Sequence, residues 1–376
     1  PPQQQQQQQQ RLAATVPTRL QSCQPTQCLS VAMRLSSDCL RIAALLCTLT
    51  LVCLGLQLPT PALRSDPGAE AYSVDAGSLP ESLRSTLIAS APDAETSAFL
   101  AASRSEAASL RGRWALLLKH KAYAVLLRLG WTRVDASAAL GRVRMFVASS
   151  AQLRPLLERA APQPPSSLLL DIGSGTGTVT HALASAIGLS DGSRVTALES
   201  SAPLRRELGR RWGFRAAASL SELDPRERFQ AVSLLNVLDR VDDPAGLLRS
   251  AASRLDPAGG LVVCAVVLPF RGSVQLPGDR RRPPRRPLQL RRASGHTRGF
   301  GRAAAAFVDA ALEALRQGGG GAEGGRRDAS LLAWTRLPYL SSSDVGRTHY
   351  SLDDAVFVLR VGGEAKRNAV GSERYR

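Results

Sequence analysis

Apolar and polar positions fall into blocks along the chain, and the period of the blocks changes from one to the next. From Ser97 to Leu129 the apolar residues recur at helical spacing, among them Phe99, Leu100, Leu110, Trp114 and Leu118. That spacing predicts an amphipathic helical cap over residues 97–160, completed by the stretch Leu140–Val147 and a further helix. A proline-rich break at 161–165 comes next, then the continuous apolar run Leu168-Leu169-Leu170, the pattern of a strand buried on both faces. The run ends at Asp171 and a turn carrying Gly173, Gly175 and Gly177, and helical periodicity resumes near Thr178. Strands are expected at 194–198, 214–218, 229–235, 261–268, 331–335 and 355–361, with helices at 178–187, 203–212, 244–255 and 303–315 between them. Such alternation predicts an α/β fold, a doubly wound, Rossmann-like sheet of seven strands over 161–361 with an N-terminal helical extension.

The flanks read differently. Residues 1–32 open on a glutamine run and cannot bury a core, so disorder is expected there. Over 33–62, arginines at 34 and 41 precede the apolar stretch Ile42–Leu58 and then Pro59-Thr60-Pro61-Ala62. This is the pattern of a signal peptide or an uncut signal anchor, short for a spanning helix of about 20 residues. It predicts membrane association through 42–58 and an endoplasmic reticulum or other endomembrane location, with mitochondrial association as the second choice. Composition marks 63–96 as a linker and 362–376 as a tail.

Charge changes the picture little. The net charge is +17, but ten arginines and one aspartate lie between Arg271 and Arg302, so much of the excess sits in one Pro/Arg/Gly-rich insertion. With few aromatics interleaved, 271–302 reads as a solvated, disordered basic loop rather than a nucleic-acid groove. Five of the six cysteines precede the folded region, and the four histidines are scattered. Neither set has ligand spacing, so no metal is expected.

The chemistry lies at the strand ends. Glycine lets the backbone turn tightly and approach a ligand, and the following helix offers free N–H groups beside it. A dinucleotide fingerprint spaces its glycines G-x-G-x-x-G, whereas this turn runs G-x-G-x-G with Asp171 two residues ahead. A carboxylate there suits a cationic group better than a pyrophosphate. Glu199, 28 positions after Asp171, closes the next strand where it can accept both hydroxyls of a ribose. At this point the chain resembles the class I S-adenosylmethionine-dependent methyltransferases. The resemblance implies that Asp171, Gly173, Gly175 and Gly177 flank the methionine part of the cofactor S-adenosyl-L-methionine, and that Glu199 holds its ribose.

Later stretches narrow this. Ser233-Leu-Leu-Asn-Val-Leu-Asp-Arg240 with Leu268-Pro-Phe270, and Thr335-Arg-Leu-Pro-Tyr-Leu340 with Leu352-Asp-Asp-Ala-Val-Phe-Val-Leu359, resemble the DREV family from about Phe99 to Leu359. In the glycine turn, Thr176 stands where that family has an acidic residue. The resemblance implies a protein-histidine N-pros-methyltransferase acting on His-x-His motifs of other proteins, with a monomer expected. Transfer to the pros nitrogen needs the proton on the other ring nitrogen, facing an acceptor. Asn236 or Asp239, at the end of the fourth strand, is expected to supply it, with Asn236 also near the cofactor. Tyr339 is expected to wall or bond the substrate ring, with Tyr350 and Arg240 as further substrate contacts. Bland readings stand beside these: Asn236 as a helix cap, Asp239–Arg240 as a structural ion pair, Tyr339 as core. Two other classes remain, a methyltransferase acting on nucleic acid or another side chain, and a catalytically silent membrane-anchored binding protein.

Overall fold

The computed structural model describes residues 61–142, 144–160, 168–278, 280–290, 299–318, 326–342 and 345–364. The expected leader, the apolar stretch 42–58 and the tail from 365 lie outside them. Among the described residues no helix is long and apolar enough to cross a membrane.

In chain order the elements are α1 (Glu81–Arg84), α2 (Ala94–Ala108), α3 (Leu110–Arg128), α4 (Arg133–Ala139), β1 (Met145–Phe146), α5 (Ser150–Leu157) and β2 (Leu169–Ile172). They continue with α6 (Thr178–Ala186), β3 (Val195–Leu198), α7 (Ala202–Trp212), β4 (Arg215–Ala217), β5 (Ala231–Leu235), α8 (Pro244–Ser253) and β6 (Gly259–Val267). A two-residue pair, β7 (Val274–Gln275) and β8 (Arg281–Arg282), precedes α9 (Gly299–Arg316), β9 (Arg327–Ser342) and β10 (His349–Glu364). The single helical block expected at 97–129 divides at Ser109. That residue is extended at ψ 142°, and its hydroxyl accepts from the Gly112 N–H to cap α3.

The main sheet runs β1-β9-β10-β6-β5-β2-β3-β4. Strands β4, β3, β2, β5 and β6 are parallel. β10 runs antiparallel to both β6 and β9, so the seven expected strands are present and the two-residue β1 adds an eighth at the edge. From β2 the chain winds outward through β3 and β4, then returns to β5 on the other side. Ligands of such sheets bind beyond the strand carboxyl ends where the winding reverses, here between β2 and β5. One face of the sheet packs Phe229, Phe307, Trp334 and Phe357 with α8 and α9. The other packs Leu153, Leu156, Leu183 and Leu208 with α5, α6 and α7.

Two expectations are corrected. Residues 63–96 are not a free linker: Tyr72, Leu79 and Leu83 are buried. The Trp334 indole donates to the Leu83 carbonyl at 2.8 Å, and Trp334 exchanges backbone bonds with Thr86 and Ile88 at 3.0 and 2.9 Å. A few well-spaced apolar residues fasten a segment whose overall composition is that of a loop. Trp334→Ala removes both a fully buried ring and that anchor. It is expected to cost about 3–5 kcal/mol in urea unfolding, with protease sensitivity appearing first at 63–90.

The basic insertion is also more ordered than its composition suggests. The Arg282 guanidinium bonds both carboxylate oxygens of Asp242, at 2.5 and 2.6 Å. Leu288 is buried, and the Arg286 N–H donates to the Asp242 carbonyl at 2.9 Å. Residues 291–298 lie outside the described part.

Candidate active site

The glycine turn forms because β2 ends under a carbonyl that its amides can reach. The N–H groups of Gly173 and Ser174 both donate to the Leu198 carbonyl of β3, at 2.8 and 3.0 Å. Gly173, Gly175 and Gly177 all hold positive φ, at 83°, 55° and 78°. Their surroundings differ. A Cβ at Gly173 would meet Val237 Cγ2 at 2.8 Å, and one at Gly177 would meet Trp212 Cδ1 at 2.6 Å and Leu208 Cδ2 at 2.7 Å. At Gly175 nothing lies within 4 Å, so this is the open point of the turn. Gly177→Ala adds left-handed strain of about 1–2 kcal/mol to a steric conflict. A stability loss of about 2–4 kcal/mol is expected in thermal unfolding.

Asp171 is 2% exposed and sits behind the turn. One carboxylate oxygen accepts from the Thr180 hydroxyl and the other from Ser233, both at 2.5 Å. Its side chain thus ties β2 to α6 and β5, and burial pushes its pKa up against those bonds. Glu199, at the end of β3, faces the turn. One oxygen accepts from the Gly175 N–H at 3.0 Å, and the other from the Ser201 N–H at 2.8 Å and the Ser200 hydroxyl at 3.2 Å.

A second group gathers at the end of β5. Asn236 is the only non-glycine with positive φ among the described residues, at 56°, a conformation Asn tolerates better than most. It caps no helix; Asp243 caps α8 by accepting from the Gly246 N–H at 2.7 Å. The Asn236 Nδ2 donates to Asp354 Oδ2 at 2.7 Å, while its own buried Oδ1 has no partner. Asp354 on β10 is fully buried, and desolvation drives its carboxyl up to about 7. Three residues past Asn236, Asp239 lies in a short 3-10 turn with its pKa raised by burial. Arg240 Nε stands 3.7 Å from Asp239 Oδ1, an ion pair as the plainer reading of the sequence had it.

Tyr339 is 6% exposed, packed among core residues, and its hydroxyl reaches Met145 Sδ and Arg240. Its pKa is raised by burial against the opposing pull of Arg240. The structure therefore brings Asn236, Asp239, Arg240 and Tyr339 into one neighbourhood. Tyr350 stands apart from it. It pairs with Ser341 four residues up β10 from Asp354, with the Arg347 guanidinium 5.4 Å over its ring. A cavity of about 450 Å³ between α2, β1 and α6 is lined in part by Met145, Thr178, His181 and Trp212.

Asp354 was missed from the sequence. Its signal is a carboxylate directly ahead of the apolar run Ala355–Leu359, in phase with Val356 and Val358, so that it must enter the core. Among the described residues no group of three His, Cys, Asp or Glu is placed to hold a metal.

A parallel sheet with a reversal point, a G-x-G-x-G turn and acidic strand ends define a class I S-adenosylmethionine-dependent methyltransferase. Comparison with known proteins gives the family: the DREV methyltransferase profile matches residues 72–361, most of the 376-residue chain. The chain belongs to the DREV methyltransferase family, and S-adenosyl-L-methionine is its methyl donor. The match begins at Tyr72, inside the segment fastened to β9.

Solved structures similar to this chain include the [4+2]-cyclase SpnF, at 15% identity and TM-score 0.37 over 65% of this chain and 95% of that one. The trans-methyltransferase CalH in complex with SAH is 18% identical at TM-score 0.32, over 56% of this chain and 55% of that one. The CMeT domain of the citrinin polyketide synthase is 15% identical at TM-score 0.33, over 68% of this chain and 58% of that one. The chain thus spans just over half the length of the last two.

Proposed function

We propose that this methyltransferase acts on the pros nitrogen of histidine, in His-x-His motifs of other proteins. The observation that carries the reading is Asn236 Oδ1, a buried acceptor with no partner, three residues from the Asp239 carboxylate. A buried polar atom left unpaired costs about 1–3 kcal/mol, and a substrate N–H is the group that removes the cost.

The residues fit the donor. Gly175 leaves backbone open to a ligand, Ser201 Oγ is buried without a partner, and the carboxyl groups of Asp171 and Glu199 stand at the strand ends beside the turn. Gly173, Gly175 and Gly177 would shape the bed for its methionine part with Asp171 flanking it from behind the turn, and Glu199 would hold the ribose. Asn236 would border the cofactor as well as the substrate. Bound there, S-adenosylmethionine supplies a methyl group already activated by its sulfonium.

What remains for the chain is alignment. Imidazole, with an ordinary pKa of about 6.5, is mostly neutral near pH 7 and needs no strong base. It needs one tautomer. An acceptor on the far ring nitrogen, from Asn236 or Asp239, keeps the pros lone pair free. The Asp239 carboxylate also stabilises the ring as it becomes cationic. Tyr339 and Arg240 would border the space the substrate enters, while Tyr350, farther along β10, stands outside it.

Purified protein with labelled S-adenosylmethionine and a His-Ala-His peptide is expected to label the pros nitrogen. Label on lysine or on RNA would overturn the reading. Asp239→Ala is expected to lower kcat by about 10²–10³ while calorimetric cofactor affinity holds; unchanged turnover would remove its assigned role.

A further inference from the structure

The arginine-rich hairpin is absorbed by none of this, yet it is built onto the site. The Ser273 N–H donates to the Asp239 carbonyl at 2.6 Å, just ahead of β7. Past β8, the Arg286 N–H holds the Asp242 carbonyl, and at the tip the Gly278 N–H reaches the Trp131 carbonyl after α3 at 3.4 Å. The hairpin therefore bridges the helical cap and the turn that carries Asp239.

Its charges divide into two sets. Arg282 is fixed on Asp242, and Arg286 shares Asp243 with Arg249, at 3.4 and 3.8 Å. Arg280 and Arg281 are exposed and have no carboxylate partner among the described residues, and Arg285 is left beside an Asp242 that Arg282 already occupies. The positive charge of Arg281 is felt at Asp239, where it opposes the effect of burial.

Resting on the reading of the site as one that takes a protein chain, we infer that the outer arginines Arg280, Arg281 and Arg285 form a docking surface for an acidic segment of the substrate, flanking the residue to be methylated. Two anchored arginines hold the hairpin while the outer ones stay available, which gives the surface fixed geometry and surplus charge. A nucleic acid fits worse. Residues 271–290 contain no aromatic, and Phe270 just ahead of them is buried, so no base-stacking platform is offered. Asp239, Asp242 and Asp243 lie among the arginines and would repel a continuous phosphate backbone, whereas a peptide places its carboxylates singly.

The test uses two fluorescein-labelled peptides that share a His-Ala-His core and differ only in a flank of glutamates or glutamines, read by anisotropy. The glutamate peptide is expected to bind the full chain about tenfold more tightly at low salt. The preference should vanish at high salt and in the triple variant Arg280→Gln, Arg281→Gln, Arg285→Gln, while the glutamine peptide binds wild type and variant alike, showing that the variant is folded. Replacing the core histidines by glutamine should leave the preference intact, which separates this inference from the choice of acceptor residue. Equal affinity for the two peptides, a preference that survives the triple variant, or displacement of the glutamate peptide by lower concentrations of a single-stranded RNA would overturn it.

Discussion

Glu199→Ala is expected to weaken S-adenosylmethionine binding by at least about a hundredfold in calorimetry, with a smaller effect on folding. Two losses combine. A carboxylate accepting from two ribose hydroxyls contributes about 1.5–3 kcal/mol for each charge-assisted bond. The same side chain also spans the crevice, with one oxygen on the Gly175 N–H and the other on the Ser201 N–H at the start of α7. Removing it frees both amides and loosens Gly175, the open point of the glycine turn. Glu199→Gln separates the contributions, because a carboxamide oxygen can still accept from Gly175 while the charge is gone. Its affinity is expected to fall between wild type and Ala. An affinity within a few-fold of wild type for the alanine variant would put the ribose elsewhere. Turnover in that variant at saturating donor should recover in part, since Asn236 and Asp239 stay in place.

The parts of this site that could be read from residues are those where local chemistry dictates position. A continuous apolar run followed by alternate glycines has few structural readings: Asp171 lies at the end of β2, the three glycines follow in the turn, and Glu199 comes directly after β3. Asn236 and Asp239 are expected past the end of a buried strand by the same rule, and both stand there, just after β5. What could not be read depends on partners distant in the chain. Asp354 is 118 positions from Asn236, and only the antiparallel return of β10 beside β6 brings them together. Asp171 looked like a ligand contact, but Ser233, 62 positions later, and Thr180 take up its oxygens. Composition also misled where a minority of residues decides the outcome. A few buried side chains fasten 63–96, and two aspartates fasten the basic hairpin.

Asp354 leads to the second large effect, in which stability and turnover move in opposite directions. Its folded pKa of about 7 stands above the ordinary 3.8 because the carboxylate is wholly buried. Between those values the folded chain keeps a proton that the unfolded chain has released. Stability from this group is therefore complete below about pH 4 and is lost as pH rises through about 7. Asp354→Asn, which cannot ionise, is expected to raise the melting temperature at pH 8 and to leave it nearly unchanged or slightly lowered at pH 4. The gain at pH 8 is at most about 4 kcal/mol, from roughly three pH units at about 1.4 kcal/mol each, less about 1 kcal/mol for an impaired hydrogen bond. That impairment is also the cost to function. The carboxylate now accepts from the Asn236 Nδ2 through one oxygen and from the Ala355 N–H through the other, at 2.7 and 3.0 Å. A carboxamide has only one oxygen to offer. If it serves Ala355, its NH₂ opposes Asn236, whose own amide then turns over and exchanges Oδ1 for Nδ2. The acceptor offered to the substrate N–H is lost in that arrangement. The variant is thus expected to lower kcat with little change in donor affinity. A lower melting temperature at pH 8, or turnover equal to wild type, would show that Asp354 does not hold Asn236 in its working orientation.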